Sequence, residues 1–271
     1  VKGEGKNLGQ LIEAITRNPT PPALSQLFSI EGNILGSALG AEINDLSLQL
    51  ADTNVTGDIS VEMGAAPRFS INLAAAKFNL DKLLNIQQST LAKVKTTSKA
   101  KATISVDASS KKDHSTAQVS NGVMIPKNIS GSVIVSVEAL VYKGQAISDV
   151  LINSELGNGV AKLSQFSAQL PGGSEVTLYG DLSTPKGAPQ FSGNIEAQTN
   201  DLRKVTEWLG VKVPNIPKDR LRKVDFRSAI MLTPNEIQVQ SLNLKFDNSR
   251  LTGAATVALR SRLGFGANLT L

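Results

Sequence analysis

The most informative absences in this sequence are those of thiols and aromatic rings. There is no cysteine, and histidine and tryptophan each occur once among the 271 residues. Without thiols the chain has no disulfide, no cysteine nucleophile and no cysteine-ligated zinc. Aromatic residues make up only 4% of the chain, so few rings are present to stack on bases or sugars. We therefore expect neither a nucleic-acid partner nor a carbohydrate-binding platform.

Long apolar runs are missing as well. No stretch approaches the ~20 consecutive apolar residues that a membrane-spanning helix needs. The opening residues VKGEGKNL lack the apolar segment of a secretory signal peptide. Because the chain does not begin with methionine and enters patterned sequence at once, we interpret it as part of a longer protein.

Residues that support enzyme chemistry are equally scarce. The single histidine, His114, lies between Asp113 and Ser115 in a polar stretch, whereas a Ser-His-Asp triad needs a shaped apolar pocket. Carboxylates are the main metal ligands left, and they do not fall at the spacing of a calcium loop. We therefore expect a protein that is not an enzyme and that holds no metal and no cofactor.

The charge is mildly basic, with a net value of +5 and an isoelectric point near 9.4. One cluster of lysines lies in a Ser/Thr-rich stretch, and its members are Lys93, Lys95, Lys99, Lys101, Lys111 and Lys112. A run of this kind is typical of a solvated loop or sheet edge. Contact with anionic lipid headgroups or with nucleic acid is the functional alternative for this cluster, and the sequence leaves the headgroup contact open.

Short runs in which apolar residues alternate with small polar ones recur along most of the chain. Such alternation predicts half-buried strands, and the frequent turn residues between the runs predict hairpins. We expect the apolar residues of these strands to line one surface. The candidates are Leu46, Leu48, Ile59, Val61, Phe69, Ile71, Leu73, Val133, Val135, Phe166, Val176, Leu178, Leu242, Leu244, Phe246, Val257, Leu259, Phe265 and Leu269.

Three segments change to helical spacing. Short helices are predicted after Asn7, Asn79 and Asp201, because Asn and Asp are suited to cap a helix N-terminus. The third of these helices should end at Gly210 and carries Trp208 on its apolar side. Packing of Trp208 against a sheet is favoured over a role as a membrane-interface anchor.

Two of these helices share the same lead-in, which indicates a repeat. The lead-in reads APRFSINL at 66–73 and APQFSGNI at 188–195. We predict two β-rich repeats. Residues 1–130 include the N-terminal helix and the polar insert, and residues 131–271 include the helix at 201–210. Because one such repeat cannot bury its apolar side alone, we expect one continuous, mainly β structure: a long, curled antiparallel sheet that forms a groove, with a few short capping helices.

These repeats resemble the AsmA family of bacterial envelope proteins. The resemblance rests on the hairpin–strand–helix design at 45–84, its second copy at 241–271 and the Gly-Gly hairpin at 147–183. It implies a periplasmic protein tethered to the inner membrane by a helix that this chain lacks. It also implies a hydrophobic interior that conducts phospholipids toward the outer membrane, and it supplies no catalytic residue.

Two functions follow as expectations. In the first, the chain is a section of a conduit whose partners are phospholipids and envelope proteins. In the second, it is a scaffold or chaperone-like factor in outer-membrane protein assembly that offers its sheet edge to client strands. Alternation alone does not show which side of each strand faces inward, and it is also compatible with two sheets packed face to face.

Overall fold

A computed structural model describes most of the chain. The described residues are 1–16, 20, 24–82, 124–211, 220, 222–259 and 262–271. The predictions for the lysine cluster at 93–112 and for His114 lie outside these residues.

The strands form one open sheet in which each strand pairs with the next along the chain. Its first five strands are β1 (Lys2–Gly5), β2 (Phe28–Ser37), β3 (Gly40–Leu50), β4 (Thr53–Glu62) and β5 (Arg68–Asn79). The next five are β6 (Ser130–Tyr142), β7 (Gln145–Gly157), β8 (Val160–Leu170), β9 (Ser174–Ser183) and β10 (Gln190–Thr199). The last four are β11 (Val224–Thr233), β12 (Glu236–Phe246), β13 (Ser249–Leu259) and β14 (Leu263–Thr270). The predicted fold class, mainly β with a long sheet and few short helices, is confirmed.

The strand pairings follow the predicted hairpins with one exception. Twelve of the pairings are antiparallel, whereas β5 and β6 run parallel, with Ile71 opposite Val133. A parallel pair requires a long connection that returns the chain to the starting end of the sheet. The prediction of a wholly antiparallel sheet is therefore wrong at this one junction.

The helices begin where the sequence predicts. The predicted helices are α1 (Leu8–Thr16), α2 (Leu202–Leu209) and a helical turn at 80–82. One further short 3-10 helix, Pro185–Gly187, lies between β9 and β10. The side chains of Asn7, Asn79 and Asp201 each accept a hydrogen bond from the backbone N–H three residues further on, at 3.0, 2.9 and 3.2 Å respectively. The helical segments follow β1, β5 and β10, which end at the same end of the sheet. They therefore cap one end of the sheet.

A bulge and a glycine recur as a unit across the sheet. Strands β3, β8 and β12 each carry one extra residue relative to both neighbours. The strand that follows each of them has a glycine beside the bulge, and these are Gly57, Gly180 and Gly253, with φ angles of 148°, 156° and 143°. A Cβ atom at any of them would overlap a backbone carbonyl oxygen of the next strand. Since bulges bend strands and increase their twist, this unit shapes the sheet at three places.

Replacing Gly57 with alanine should therefore destabilise the fold more than replacing Gly64. At Gly57 the backbone angle and the carbonyl of Asn72 both oppose a side chain, whereas nothing lies within 4 Å of a Cβ at Gly64. We expect Gly57→Ala to lower the free energy of unfolding by about 1–3 kcal/mol. Urea unfolding of both variants measures the difference, and equal losses would contradict the role assigned to the bulge unit.

Candidate functional site

The cross-strand register places the predicted lining residues together. Residues directly opposite each other across a strand pair project from the same side of the sheet. Ile59, for example, lies opposite both Ile43 and Ile71, and Ile71 lies opposite Val133. When these pairs are followed across all fourteen strands, every candidate falls on one side, which we call the apolar face. The candidates lie in β3 (Leu46, Leu48), β4 (Ile59, Val61), β5 (Phe69, Ile71, Leu73), β6 (Val133, Val135), β8 (Phe166), β9 (Val176, Leu178), β12 (Leu242, Leu244, Phe246), β13 (Val257, Leu259) and β14 (Phe265, Leu269).

Four strands that contribute to the apolar face were absent from the prediction. Ile30 of β2 lies opposite Leu48, and Phe226 of β11 lies opposite Leu244. Strand β7 contributes Ile152, which lies opposite Phe166. Strand β10 contributes Ile195, which lies opposite Leu178. The alternation in these strands is weaker because glycine and serine occupy some apolar-face positions. Their pairing with strongly alternating neighbours is the signal that identifies them.

The opposite side, which we call the polar face, carries mostly short polar and charged side chains. Ser60, Ser70 and Ser132 follow one another across three adjacent strands. Further along, the guanidinium of Arg227 lies 3.6 Å from the Glu196 carboxylate. The sheet is thus amphipathic, with polar and charged side chains on one side and aliphatic side chains on the other.

Helix α2 covers part of the apolar face through Trp208. The indole Nε1 donates a hydrogen bond to the Tyr142 carbonyl oxygen at 3.0 Å, and the two rings meet edge to face at 6.1 Å. Trp208 also packs against a buried cluster of Ile147, Val150 and Ala168. The predicted packing of Trp208 on the sheet is confirmed.

A cavity of about 470 Å³ lies between α2 and the apolar face, within the ~300–1,000 Å³ range of ligand pockets. Leu202 and Val205 of α2 form one wall. The sheet supplies the other apolar lining from Leu170, Ala197, Val224, Phe226, Leu244 and Phe246. Of these residues the sequence predicted only Leu244 and Phe246, since the cavity exists only after β8, β10, β11 and β12 are brought side by side.

The polar atoms at this cavity already have partners within the protein. The Ser174 hydroxyl, in a residue only 3% exposed, donates at 2.9 Å to the Pro171 carbonyl and lies 2.7 Å from the Thr199 hydroxyl. The Thr199 hydroxyl in turn accepts from the Asp201 backbone N–H at 3.0 Å. Among the described residues of the lining, none carries a cationic side chain. The cavity is therefore suited to hydrocarbon and not to a charged or hydrogen-bonding ligand.

Much of the apolar face outside α2 stays in contact with solvent. In the described ranges only seven apolar residues are buried. The ring of Phe265 in β14 is 77% exposed, and Ile34 in β2 is 52% exposed. All the described strands belong to the one sheet, so no second described sheet packs on this face.

The turn between β6 and β7 connects the helical turn at 80–82 to α2 at the capped end of the sheet. The Asp81 carboxylate accepts hydrogen bonds from the backbone N–H groups of Lys143 and Gly144, at 2.7 and 2.8 Å. The Lys143 ammonium donates to the last carbonyl of α2 at 3.2 Å. Nearby, Lys82 donates a hydrogen bond to Asp52 and lowers the pKa of that carboxyl group below its ordinary value. These polar contacts hold the helical turn at 80–82 and α2 against the turn between β6 and β7.

Searches of protein-family models, curated proteins and solved structures found no match for this chain. Among the described helices, none is long and apolar enough to cross a bilayer. Within the same residues, no three His, Cys, Asp or Glu side chains are grouped so that they could hold a metal ion. The site is thus defined by its geometry alone.

Removing the Asp201 cap should loosen α2 on the apolar face. Asp201→Ala deletes the hydrogen bond to the Lys204 backbone N–H, which costs about 1 kcal/mol in comparable helices. Because Trp208 is the only tryptophan, its fluorescence reports on α2 directly. We expect its emission to shift to the red at a lower urea concentration than in the parent chain.

The neighbouring exposed Asn200 provides the matched control. Asn200→Ala should leave the tryptophan transition unchanged. Identical transitions in the Asp201 and Asn200 variants would show that the cap does not hold α2 in place.

Proposed function

We propose that the apolar face binds the hydrocarbon tails of phospholipids, and that the chain is a non-enzymatic section of a lipid conduit in the bacterial envelope. The observation that carries this proposal is the cavity under α2, which opens on an apolar face to which strands β2 to β14 contribute apolar side chains. A sheet with one solvated side and one aliphatic side of this extent requires an apolar cover. Lipid tails supply such a cover without a specific partner surface.

The free energy gained when a lipid tail moves from water to the apolar face is sufficient for binding. Burial of each methylene group contributes about 0.8 kcal/mol, so a chain of about 16 carbons gains on the order of 10 kcal/mol when it leaves water. Desolvation of the protein side adds to this gain, since Phe226, Leu244 and Phe246 would be covered at the same time. Binding of this kind needs no directional contact.

The polar groups at the cavity also support recognition of a phospholipid by its hydrocarbon tail and not by its headgroup. Because Ser174 and Thr199 bond to each other and the described residues of the lining include no cationic side chain, we expect binding there to depend on the tail and not on the headgroup. The headgroup would remain in water beside the sheet. The protein would therefore accept phospholipids of different headgroups, as a conduit for bulk lipid requires.

The resemblance to the AsmA family supports a location for this activity. In that family the sheet lies in the periplasm, is tethered to the inner membrane and passes phospholipids toward the outer membrane. We propose the same location and direction for this protein, with membrane-embedded envelope proteins as partners at the ends of the sheet.

Photo-crosslinking along β5 tests the proposal at single-residue resolution. A benzophenone amino acid is placed in turn at Phe69, Ile71 and Leu73, whose side chains lie on the apolar face, and at Ser70 and Asn72 on the polar face. After irradiation in cells, mass spectrometry should find phospholipid adducts at the first three positions and not at the other two. Equal labelling of both sets, or none, would contradict tail binding on this face.

A charge on the apolar face should weaken lipid binding more than the same charge on the polar face. Ile71→Arg places a guanidinium among aliphatic side chains, where an unpaired charge disfavours hydrocarbon, whereas Asn72→Arg points to water. We expect the phospholipid recovered per mole of purified protein to fall several-fold in the first variant only. Circular dichroism of both variants checks that the sheet is retained.

A further inference from the structure

Helix α2 covers one part of the cavity and leaves another part beyond its first residue. At the start of the helix, the Leu202 backbone N–H donates a hydrogen bond to the Arg222 carbonyl, next to β11, at 2.9 Å. At its other end, the last carbonyl of α2 accepts a hydrogen bond from Lys143, in the turn between β6 and β7. The helix therefore runs from the β11 side of the sheet toward β6, and away from β12.

The end of the cavity that lies under α2 is blind. Leu170 of β8 lines the cavity and also packs against the buried cluster around Ile147, as Trp208 does. Val205 lines the cavity from above, one helical turn before Trp208, and residues three apart are neighbours on a helix surface. A hydrocarbon chain that reaches this end therefore stops at Leu170 and Val205, beside the indole of Trp208.

The other end of the cavity continues onto the apolar face. Leu244 and Phe246 of β12 line this end, and Leu244 lies opposite Leu251 of β13, which is only half-buried. The aliphatic surface thus provides a continuous path into the cavity from the β12 side. Among the described lining residues, the one charged side chain, Glu175, is anionic. A phosphate or carboxylate group is therefore disfavoured inside the cavity, and the headgroup of a bound lipid would stay outside it.

The size of the cavity matches one hydrocarbon chain. A methylene group is about as large as a water molecule, whose share of the liquid volume is about 30 Å³. The cavity of about 470 Å³ thus has room for about 16 methylene groups. This corresponds to one lipid tail and not to the two tails of a phospholipid side by side.

We propose that the cavity under α2 is a pocket for a single acyl tail, which enters from the β12 side with its terminal methyl group leading and stops at Leu170 and Val205. The inference rests on the proposed binding of hydrocarbon tails and names the ligand class of this site. Amphiphiles with one tail, such as lysophospholipids, fill the pocket completely. A phospholipid places one tail in the pocket and leaves the other on the open apolar face.

Bromine quenching of tryptophan fluorescence tests the direction and depth of insertion. Trp208 is the only tryptophan, and a bromine atom quenches an indole only at close range. The probe is lysophosphatidylcholine, below the concentration at which it forms micelles, with bromine either near the terminal methyl group or near the glycerol. We expect the first lipid to remove most of the Trp208 emission and the second lipid to leave most of it.

A larger side chain at Val205 tests the same pocket from the protein side. Val205→Phe places a ring in the cavity, and we expect the affinity for lysophosphatidylcholine to fall at least about tenfold, because excluding two methylene groups has that effect. Glu207→Phe is the matched control, since Glu207 is exposed on α2 and the same ring then points to water. The Trp208 emission without lipid checks that α2 stays packed in both variants.

Equal quenching by both brominated lipids, or quenching by neither, would overturn the proposal. Equal affinities of the two phenylalanine variants would overturn it as well. Phospholipid adducts on β5 are scored independently of Trp208. If those adducts form while one of these negative results is obtained, the pocket is ruled out and the proposed function stands, whereas missing adducts count against the proposed function itself.

Discussion

The structure depends on one constraint, which is that the aliphatic side chains stay on the same side of the sheet from β2 to β14. Side chains of a strand alternate between the two sides, so a shift of one residue in any pairing would turn the apolar side chains of that strand toward water. The bulges in β3, β8 and β12 would cause such a reversal on their own. They do not, because the apolar spacing lengthens from two to three residues at the same points, between Ile43 and Leu46, Leu163 and Phe166, and Val239 and Leu242.

The sequence predicts those parts of the fold that depend on short stretches of residues. Alternation is a local signal, so strands such as β5 and β12 and their apolar residues are evident from short windows. The helix caps at Asn7, Asn79 and Asp201 are local as well, since each depends on one side chain and a backbone group three residues away. The parallel pairing of β5 with β6 is different. It depends on how the chain returns to the sheet after β5, and alternation in the intervening sequence, as in ATISVDAS at 102–109, does not indicate the direction of return.

The sequence contains less information about the cavity than about the apolar face on which the cavity opens. The sequence of α2 indicates its apolar side and the orientation of Trp208. However, Leu170, Phe226 and Phe246 become neighbours only through the pairings of β8 to β12. The lining also includes strands in which serine and glycine interrupt the alternation. A site that binds by area and shape, without a motif of polar groups, leaves little trace in any single segment.

The placement of α1, α2 and the helical turn at 80–82 at one end of the sheet implies a rule on strand number for growth by repeat duplication. The block from β2 to β5 has four strands, so the chain returns to the end from which it started. The block from β6 to β10 has five strands, and an odd number reverses the chain unless one junction is parallel. The parallel junction between β5 and β6 thus allows β10 to end at the same end of the sheet as β5. Blocks with even strand numbers could be inserted or lost freely, whereas a block with an odd number requires a return segment comparable to residues 80–129.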